Sequence, residues 1–220
     1  MRLLRVLVAA GGMTALLAQS SAAQEGRTFR DAWFWGVKAG VLDYSSSVGT
    51  DNAGAPLVGV DWVITRSQAG LYASYDHSFL NTQAYYKEPY VNGDPFVNVR
   101  NLRRFTLAAM VFPMQQPTLH PYLGLGVSLH QIAAAALASP IAIPALAAAA
   151  ADSIQDKKVT AAPMFMAGIQ KRLPMFSVFA QGTGTFLQQG FMLHYVAPKR
   201  ELEWSLEAGI RYNVGSSIER

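Results

Sequence analysis

The 220-residue sequence contains no cysteine and carries little charge, since only 15% of its residues are Asp, Glu, Lys or Arg. Globular chains contain about 25% charged residues on average. The absence of cysteine excludes a disulfide scaffold, a zinc ribbon, a thiol nucleophile and thiolate-held iron–sulfur clusters. Hydrophobic residues make up 51% of the chain, which excludes intrinsic disorder. A globular protein or a membrane protein remains.

The first 23 residues differ from the rest of the chain. Arg2 and Arg5 precede an apolar, charge-free stretch over 6–18, and three small residues stand before the expected cleavage point. This order is typical of a cleaved secretory signal peptide. A membrane anchor would need about 20 apolar residues, and the stretch is shorter. We therefore predict a signal peptide over 1–23 and a single domain over 24–220, without a lipid anchor because no cysteine follows.

The remaining sequence alternates between apolar and polar residues, most clearly at its carboxyl end. Alternation with a period of two is the signature of a strand with two different faces. A helix of the same sequence would have no apolar stripe to bury. In ELEWSLEAGIRYNV one face carries Leu202, Trp204, Leu206, Ala208, Ile210, Tyr212 and Val214, and the other carries Glu203, Ser205, Glu207, Gly209, Arg211 and Asn213. Seven further runs contain Trp35, Val58, Leu71, Phe105, Leu123, Phe165 and Val178.

Short and long connections alternate between the eight predicted strands. The short ones cover 65–68, 113–120 and 171–175, and the long ones cover 44–55, 80–101, 131–158 and 187–200. Transmembrane barrels have long external loops and short periplasmic turns, and an even strand number places both termini in the periplasm. The sequence therefore predicts an all-β fold, an eight-stranded antiparallel up-and-down transmembrane β-barrel.

The two faces of the predicted strands indicate which side meets lipid. One face carries at least six glycines and seven charged residues, Lys38, Asp61, Asp76, Arg104, Glu203, Glu207 and Arg211. The other is apolar, with aromatic residues near the strand ends: Trp35, Trp62 and Tyr212 at one end and Phe79, Phe105, Phe186 and Trp204 at the other. Two aromatic girdles are typical of bilayer interfaces. We therefore place the charges in the lumen, with Glu207 and Arg211 in one ion-pair network; a secreted soluble barrel or sandwich is the alternative.

The Ala-rich segment 132–151 contains no charge over twenty residues. Its length alone would fit a transmembrane helix. Twelve of the twenty residues are Ala, however, and Pro140 and Pro144 interrupt the segment. A proline inside a helix costs about 3 kcal/mol or more. We predict that the segment belongs to the third external loop, with one or two helical turns over 145–155.

Four segments carry a family resemblance, namely WFWGVKAGVLDY, FTLAAMVFP, HPYLGLGVSLH and LEWSLEAGIRYNV. They resemble the small outer-membrane β-barrel family that includes the transmembrane domain of OmpA and proteins similar to OmpX and OmpW. The resemblance covers most of 33–214. It implies a place in the outer membrane of a Gram-negative-type cell, contact with outer-membrane lipid and lipopolysaccharide, and assembly by the barrel-assembly machinery. Family members often end on an aromatic residue, whereas here Tyr212 is followed by Asn213, Val214 and the tail 215–220. This tail is too short for a peptidoglycan-binding domain.

No catalytic, cofactor-binding or metal-binding residue is predicted. Asp76, His77 and Ser78 are the residue types of a hydrolytic triad, but neighbours in a strand face opposite sides. Ser128 and His130 share a face, roughly 7 Å apart, but their lumenal position lacks access to lipid. The four histidines show no metal-ligand spacing, and the glycines of GLGVS and QGTGTF lie inside strands, where they are expected to serve packing rather than phosphate binding.

These observations predict a non-enzymatic protein with a structural or surface-interaction role, exerted through four external loops on a rigid scaffold. One alternative is a narrow channel or binder for a small solute in the lumen. A second alternative is an integral outer-membrane hydrolase that acts on lipid. Nucleic acid is not an expected partner, because loss of Arg2 and Arg5 would lower the formal charge of +4 by two.

Overall fold

The computed structural model describes residues 31–45, 52–85, 96–114, 118–138, 141, 143–173, 176–187 and 202–216. These residues form β1 (Ala32–Ser45), β2 (Asn52–Arg66), β3 (Ala69–Tyr85), β4 (Phe96–Val111), β5 (Leu119–Leu137), α1 (Pro144–Asp156), β6 (Val159–Arg172), β7 (Phe176–Phe186) and β8 (Leu202–Ser216). Each strand pairs antiparallel with the next, and β1 pairs with β8 to close the barrel. The predicted eight-stranded up-and-down barrel is confirmed. The predicted signal peptide and the residues after 216 lie outside the described residues.

Each strand turns an apolar face outward, and its alternate residues, which include the polar and charged ones, face into the barrel. On β8, for example, Leu206 is 66% exposed and the next residue, Glu207, is 3% exposed. Successive side chains of a strand project to opposite sides, so the alternation in the sequence becomes two concentric surfaces. A soluble barrel would bury its large apolar side chains. The outward apolar band is the arrangement of a membrane barrel, and the soluble alternative is not supported.

Aromatic residues form two girdles at the ends of the apolar band. Trp35 lies opposite Trp62 on β2 and Tyr212 on β8, and the rings of Trp35 and Trp62 stack with their centroids 5.9 Å apart. At the other end, hereafter the outer end, Phe165 packs edge-on against Trp204 at 5.2 Å. It also contacts Phe186 at 6.0 Å. The two predicted girdles are confirmed.

Several strands continue further at the outer end than the sequence predicted, most of all β3, β4 and β5. β3 runs to Tyr85 and β4 begins at Phe96, so much of the predicted loop 80–101 is a two-stranded ribbon. β5 likewise extends to Leu137. The ribbon contains a β-bulge between Ser78 and Asn81, opposite a residue with positive φ. Inward-facing apolar residues, Leu80, Val97, Val99 and Ile132, continue the alternation in these extensions and are buried.

Helix α1 covers 13 residues and is longer than the one or two turns expected over 145–155. Pro144 lies in its first turn, where the missing N–H has no hydrogen bond to make, so this proline begins the helix and does not interrupt it. Ala150 and Ile154, one turn apart, are the buried residues of α1. Within the described part of the chain, no helix has both the length and the apolar character to cross a membrane.

The interior of the barrel has a polar middle between two apolar clusters. The cluster at the end opposite the outer end consists of Ala32, Phe34, Val63, Tyr72, Ala108, Met110, Phe112, Tyr122, Met164 and Met166. The outer cluster consists of Leu42, Ala55, Leu57, Leu80, Val97, Val99, Leu102, Ile132, Ala135, Ile154 and Leu187. Because Ile154 belongs to α1, the loop helix contributes to the closure of the outer end. The alternation predicted small and charged residues on the lumenal face, and neither apolar cluster was expected there.

Candidate functional site

Four charged side chains from four strands form the centre of the lumenal network. Lys38 of β1 lies between two carboxylates, with its Nζ 2.8 Å from Asp76 Oδ1 and 2.6 Å from Glu207 Oε2. Arg104 of β4 contacts the same two carboxylates, with its Nη2 3.0 Å from Asp76 Oδ2 and in direct contact with Glu207 Oε1. All four residues are buried. Two cations and two carboxylates therefore neutralise one another across the barrel.

Neutral side chains add hydrogen bonds to this centre. Glu207 accepts hydrogen bonds from Ser205 Oγ at 2.8 Å and from Gln181 Nε2 at 2.8 Å. Lys38 Nζ donates to Tyr72 OH at 2.8 Å. The hydroxyl of Tyr122 donates to Gln181 Oε1 at 2.9 Å. These tyrosines and Gln181 were missed as network members, although the period of two places them on the same face as the charges.

Arg211 forms a second ion pair, further from the outer end of the barrel. Its Nε and Nη2 donate to Asp61 Oδ2 at 3.1 and 2.9 Å, and its Nη1 donates to Gln170 Oε1 at 2.7 Å. The guanidinium carbon also lies 3.7 Å from the centre of the Phe179 ring. Arg211 is 0% exposed. Its charge is therefore compensated by one carboxylate and one aromatic face.

Glu207 and Arg211 lie in the same lumen but have different ionic partners. Four residues along a strand span about 13 Å, so the two side chains sit at different heights. Gln181 links the two, since it donates to Glu207 and its Oε1 lies 3.5 Å from Arg211 Nη2. The expectation that both are lumenal is confirmed, and a direct pairing between them is not observed.

Two glycines provide the space that the charged side chains occupy. Gly36 lies directly between Asp61 and Arg211 in the sheet, and a Cβ there would overlap Asp61 Oδ1 and lie 2.8 Å from Arg211 Cγ. A Cβ at Gly59 would overlap Asp76 Oδ1 and lie 3.1 Å from Lys38 Cε. The expected packing role of lumenal glycines is confirmed at these positions.

The side chains considered for catalysis face the sides of the barrel wall that the alternation predicted. Asp76 and Ser78 face inward and are buried, whereas His77 faces outward, where its ring lies 4.9 Å from that of Phe79. Ser128 and His130 are 0% exposed inside the lumen. Their burial in the lumen denies both side chains contact with lipid. Among the described residues, no group of three or more His, Cys, Asp or Glu side chains is placed to hold a metal ion.

Large buried side chains fill the cross-section of the barrel. Arg211, Tyr72, Tyr122, Phe34 and Phe112 are the largest of the fully buried residues. The Arg211 guanidinium carbon lies 5.8 and 5.7 Å from the ring centres of the two tyrosines, so cation and rings pack against one another. Eight-stranded barrels have an interior just wide enough for side chains to fill, and this lumen is filled in that way.

Comparison with solved structures places this fold among the small outer-membrane barrels. Neisserial surface protein A superposes with a TM-score of 0.53 and 15% identity over 82% of this chain and 96% of that one. The attachment invasion locus protein Ail of Yersinia pestis gives a TM-score of 0.50 and 9% identity over 84% of this chain and 99% of that one. No protein-family model and no curated protein sequence matches the chain. The resemblance expected from the sequence is confirmed at the level of the fold.

Proposed function

We propose that the protein is a non-enzymatic, non-conducting outer-membrane barrel that acts through its outer surface. The observation that carries this proposal is the filled lumen, in which ion pairs link β1, β2, β3, β4 and β8 between two apolar clusters. A conducting path would require these pairs to separate. Separating buried charges that neutralise one another is unfavourable unless water solvates them, which argues against the narrow-channel alternative.

The described part of the outer surface offers a rigid ribbon and a helix for recognition. The β3–β4 ribbon continues beyond the outer girdle, where Gln83 Nε2 donates to Asn98 Oδ1 at 2.8 Å on its exposed side. Helix α1 is held by Ile154 in the outer cluster. Recognition elements are commonly carried by loops on a rigid scaffold. The name of the structural neighbour Ail, an attachment invasion locus protein, is consistent with an attachment role for this surface.

Single-channel recording in planar bilayers tests the closed lumen. We expect no stepwise currents from the purified wild-type barrel. A Tyr72→Ala, Tyr122→Ala double variant, which removes two large lumenal side chains, controls for the sensitivity of the assay. Stable channels from the wild-type protein would contradict the proposal.

Attachment of cells to epithelial monolayers tests the role of the outer surface. Cells that produce the protein should attach more than cells without it, and a variant lacking residues 82–99 should lose the gain. Both proteins must first show the heat-dependent shift in electrophoretic mobility of a closed barrel. Equal attachment of all three strains would contradict a surface role for the ribbon.

Lipopolysaccharide is the partner that the outer leaflet would supply. Arg100 and Arg103 are exposed on the outward side of β4, and Arg103 lies opposite His77 on β3 and Gln131 on β5, two residues above Phe105. Arginine binds phosphate groups well because its planar donors match them. We expect Arg100→Gln with Arg103→Gln to weaken stabilisation by lipid A, and Arg66→Gln at the other end of the barrel to leave it unchanged. Equal stabilisation of all variants would remove this contact from the proposal.

A further inference from the structure

Glu203 is the fourth lumenal carboxylate and differs from the other three in its contacts. It is 3% exposed, and its Oε1 lies 3.9 Å from Arg104 Nη1 and 3.8 Å from His130 Nδ1. Both distances exceed those of a hydrogen bond. Neither carboxylate oxygen accepts a hydrogen bond from any residue that the structure describes. Glu203 therefore presents two buried acceptor oxygens that receive no hydrogen bond from the described residues.

Two threonine hydroxyls on the adjacent strand likewise lack a hydrogen-bond partner among the described residues. Thr185 of β7 lies directly opposite Glu203 of β8, and Thr183 lies opposite the next inward residue, Ser205. Both threonines are buried. Within the described ranges, their hydroxyls also have no hydrogen-bond partner. A carboxylate and two hydroxyls are therefore grouped on the inward face of one strand pair.

The charges around this group do not balance. Lys38 and Arg104 face three carboxylates, Asp76, Glu203 and Glu207, while the charges of Arg211 and Asp61 compensate each other. Arg104 already contacts two carboxylates closely. With Glu203 ionised and the neighbouring His130 neutral, one negative charge remains in excess in a buried site. An uncompensated charge is strongly disfavoured there.

We propose that Glu203, Thr183 and Thr185 bind one monovalent cation, Na⁺ or K⁺, inside the lumen. Carboxylate and hydroxyl oxygens are ligands suited to hard cations, and the single excess charge matches a monovalent ion. The outer apolar cluster, including Leu102, Ile132 and Leu187, lies between this level and the outer end and separates the ion from bulk water. The cation completes the charge balance of the lumen, independently of what the outer surface binds.

Urea unfolding in detergent micelles, followed by tryptophan fluorescence, tests the cation site. The full chain is compared in NaCl, KCl and choline chloride at equal ionic strength and fixed pH. We expect a higher midpoint in at least one alkali salt than in choline. Glu203→Gln should abolish that difference, and Thr185→Val should raise the half-maximal alkali concentration several-fold. Asp152→Asn, which changes an exposed carboxylate of α1, should retain the full salt difference.

Direct binding of Tl⁺, measured by thallium NMR on the folded protein, should be seen for wild type and lost in Glu203→Gln. If Glu203→Gln does not fold, the shift expected for Thr185→Val decides the question. Equal wild-type midpoints in all three salts would mean that a proton neutralises Glu203, and would overturn the proposal. A salt difference that persists in Glu203→Gln would overturn it as well.

Discussion

At the scale of single residues, the position of Gly36 determines how Arg211 and Asp61 meet. The two charged residues lie on β8 and β2, with β1 between them. Only a residue without a side chain at position 36 leaves room for the guanidinium to cross β1 and reach the carboxylate. The ion pair therefore depends on three positions, one of which carries no charge.

Removal of the Arg211 charge is expected to destabilise the barrel. Arg211→Met leaves Asp61 buried without its cation, a loss of about 3–5 kcal/mol for a buried pair. Adding Asp61→Asn should recover part of that loss, whereas adding Glu207→Gln should not, because Glu207 pairs with Lys38 and Arg104. Double-mutant cycles from urea unfolding measure both couplings. A larger coupling to Glu207 than to Asp61 would contradict the observed pairing.

A methyl group at position 36 tests whether the Arg211–Asp61 ion pair needs the space that Gly36 leaves between them. Gly36→Ala should destabilise the barrel by about 1–3 kcal/mol, the range for overpacked interiors. Gly54→Ala is the matched control on β2, because a Cβ there has its nearest neighbour, Leu42 O, at 3.9 Å. Urea midpoints of the two variants give the comparison. Equal effects would show that the crowding around Gly36 relaxes without cost.

At the scale of elements, the strand faces could be predicted from the sequence, but the outer strand ends could not. Polar residues such as Asn81 and Gln83 on the outward side made the β3 extension look like a loop, because this part of the strand no longer contacts lipid. The buried residues Leu80, Val97 and Val99 were the available signal. A proline in the Ala-rich segment was taken as an interruption, whereas Pro144 occupies the first turn of α1.

Loss of the buried side chain of α1 is expected to release the helix from the outer cluster. Ile154→Ala should destabilise this region by about 2–5 kcal/mol, as for other large-to-small changes in a core. Because α1 contacts the barrel chiefly through β5, we expect faster proteolysis after Lys157 with little change in the global urea midpoint. Ile143→Ala, which alters a side chain 56% exposed, is the control. Unchanged proteolysis of Ile154→Ala would show that other contacts hold α1.

At the scale of the whole molecule, the architecture follows from the alternation and the order of short and long connections. The pairing of the lumenal charges cannot be predicted from the alternation or from the order of the connections. Seven lumenal charges share one face in the sequence, and only the register between strands decides that Arg211 meets Asp61. The fold was therefore predictable from the chain, whereas the partners in the network required the closed barrel.

Thiol labelling in membranes distinguishes the two surfaces of the barrel. The chain has no cysteine, so Leu206→Cys and Glu207→Cys each introduce a single thiol. Leu206 lies on the lipid side, two residues inside Trp204 on β8, and its thiol should react with a lipid-soluble reagent and resist a charged one. The thiol at position 207 should show no preference for the lipid-soluble reagent. A thiol at position 206 that resists both reagents until unfolding would contradict the membrane barrel.

The orientation of the barrel is tested by trypsin added to intact cells. If the outer end faces the medium, cleavage should occur near Lys157 after α1. Arg66, the exposed last residue of β2 beside the β2–β3 turn, should remain intact. Lysed cells provide the control in which both sites are accessible. Cleavage at Arg66 alone in intact cells would mean that the barrel is inverted.

The ion pairs of the lumen cross the seam where the first and last strands join. Lys38 of β1 contacts Glu207 of β8, and Arg211 of β8 reaches past β1 to Asp61 of β2. Until β8 docks on β1, Glu207 lacks Lys38, and Arg211 and Asp61 lack each other. An open sheet would expose these charges inside the bilayer. Membrane insertion and seam closure are therefore expected to occur as one concerted event, because an inserted but unclosed intermediate carries the full cost of separated charge.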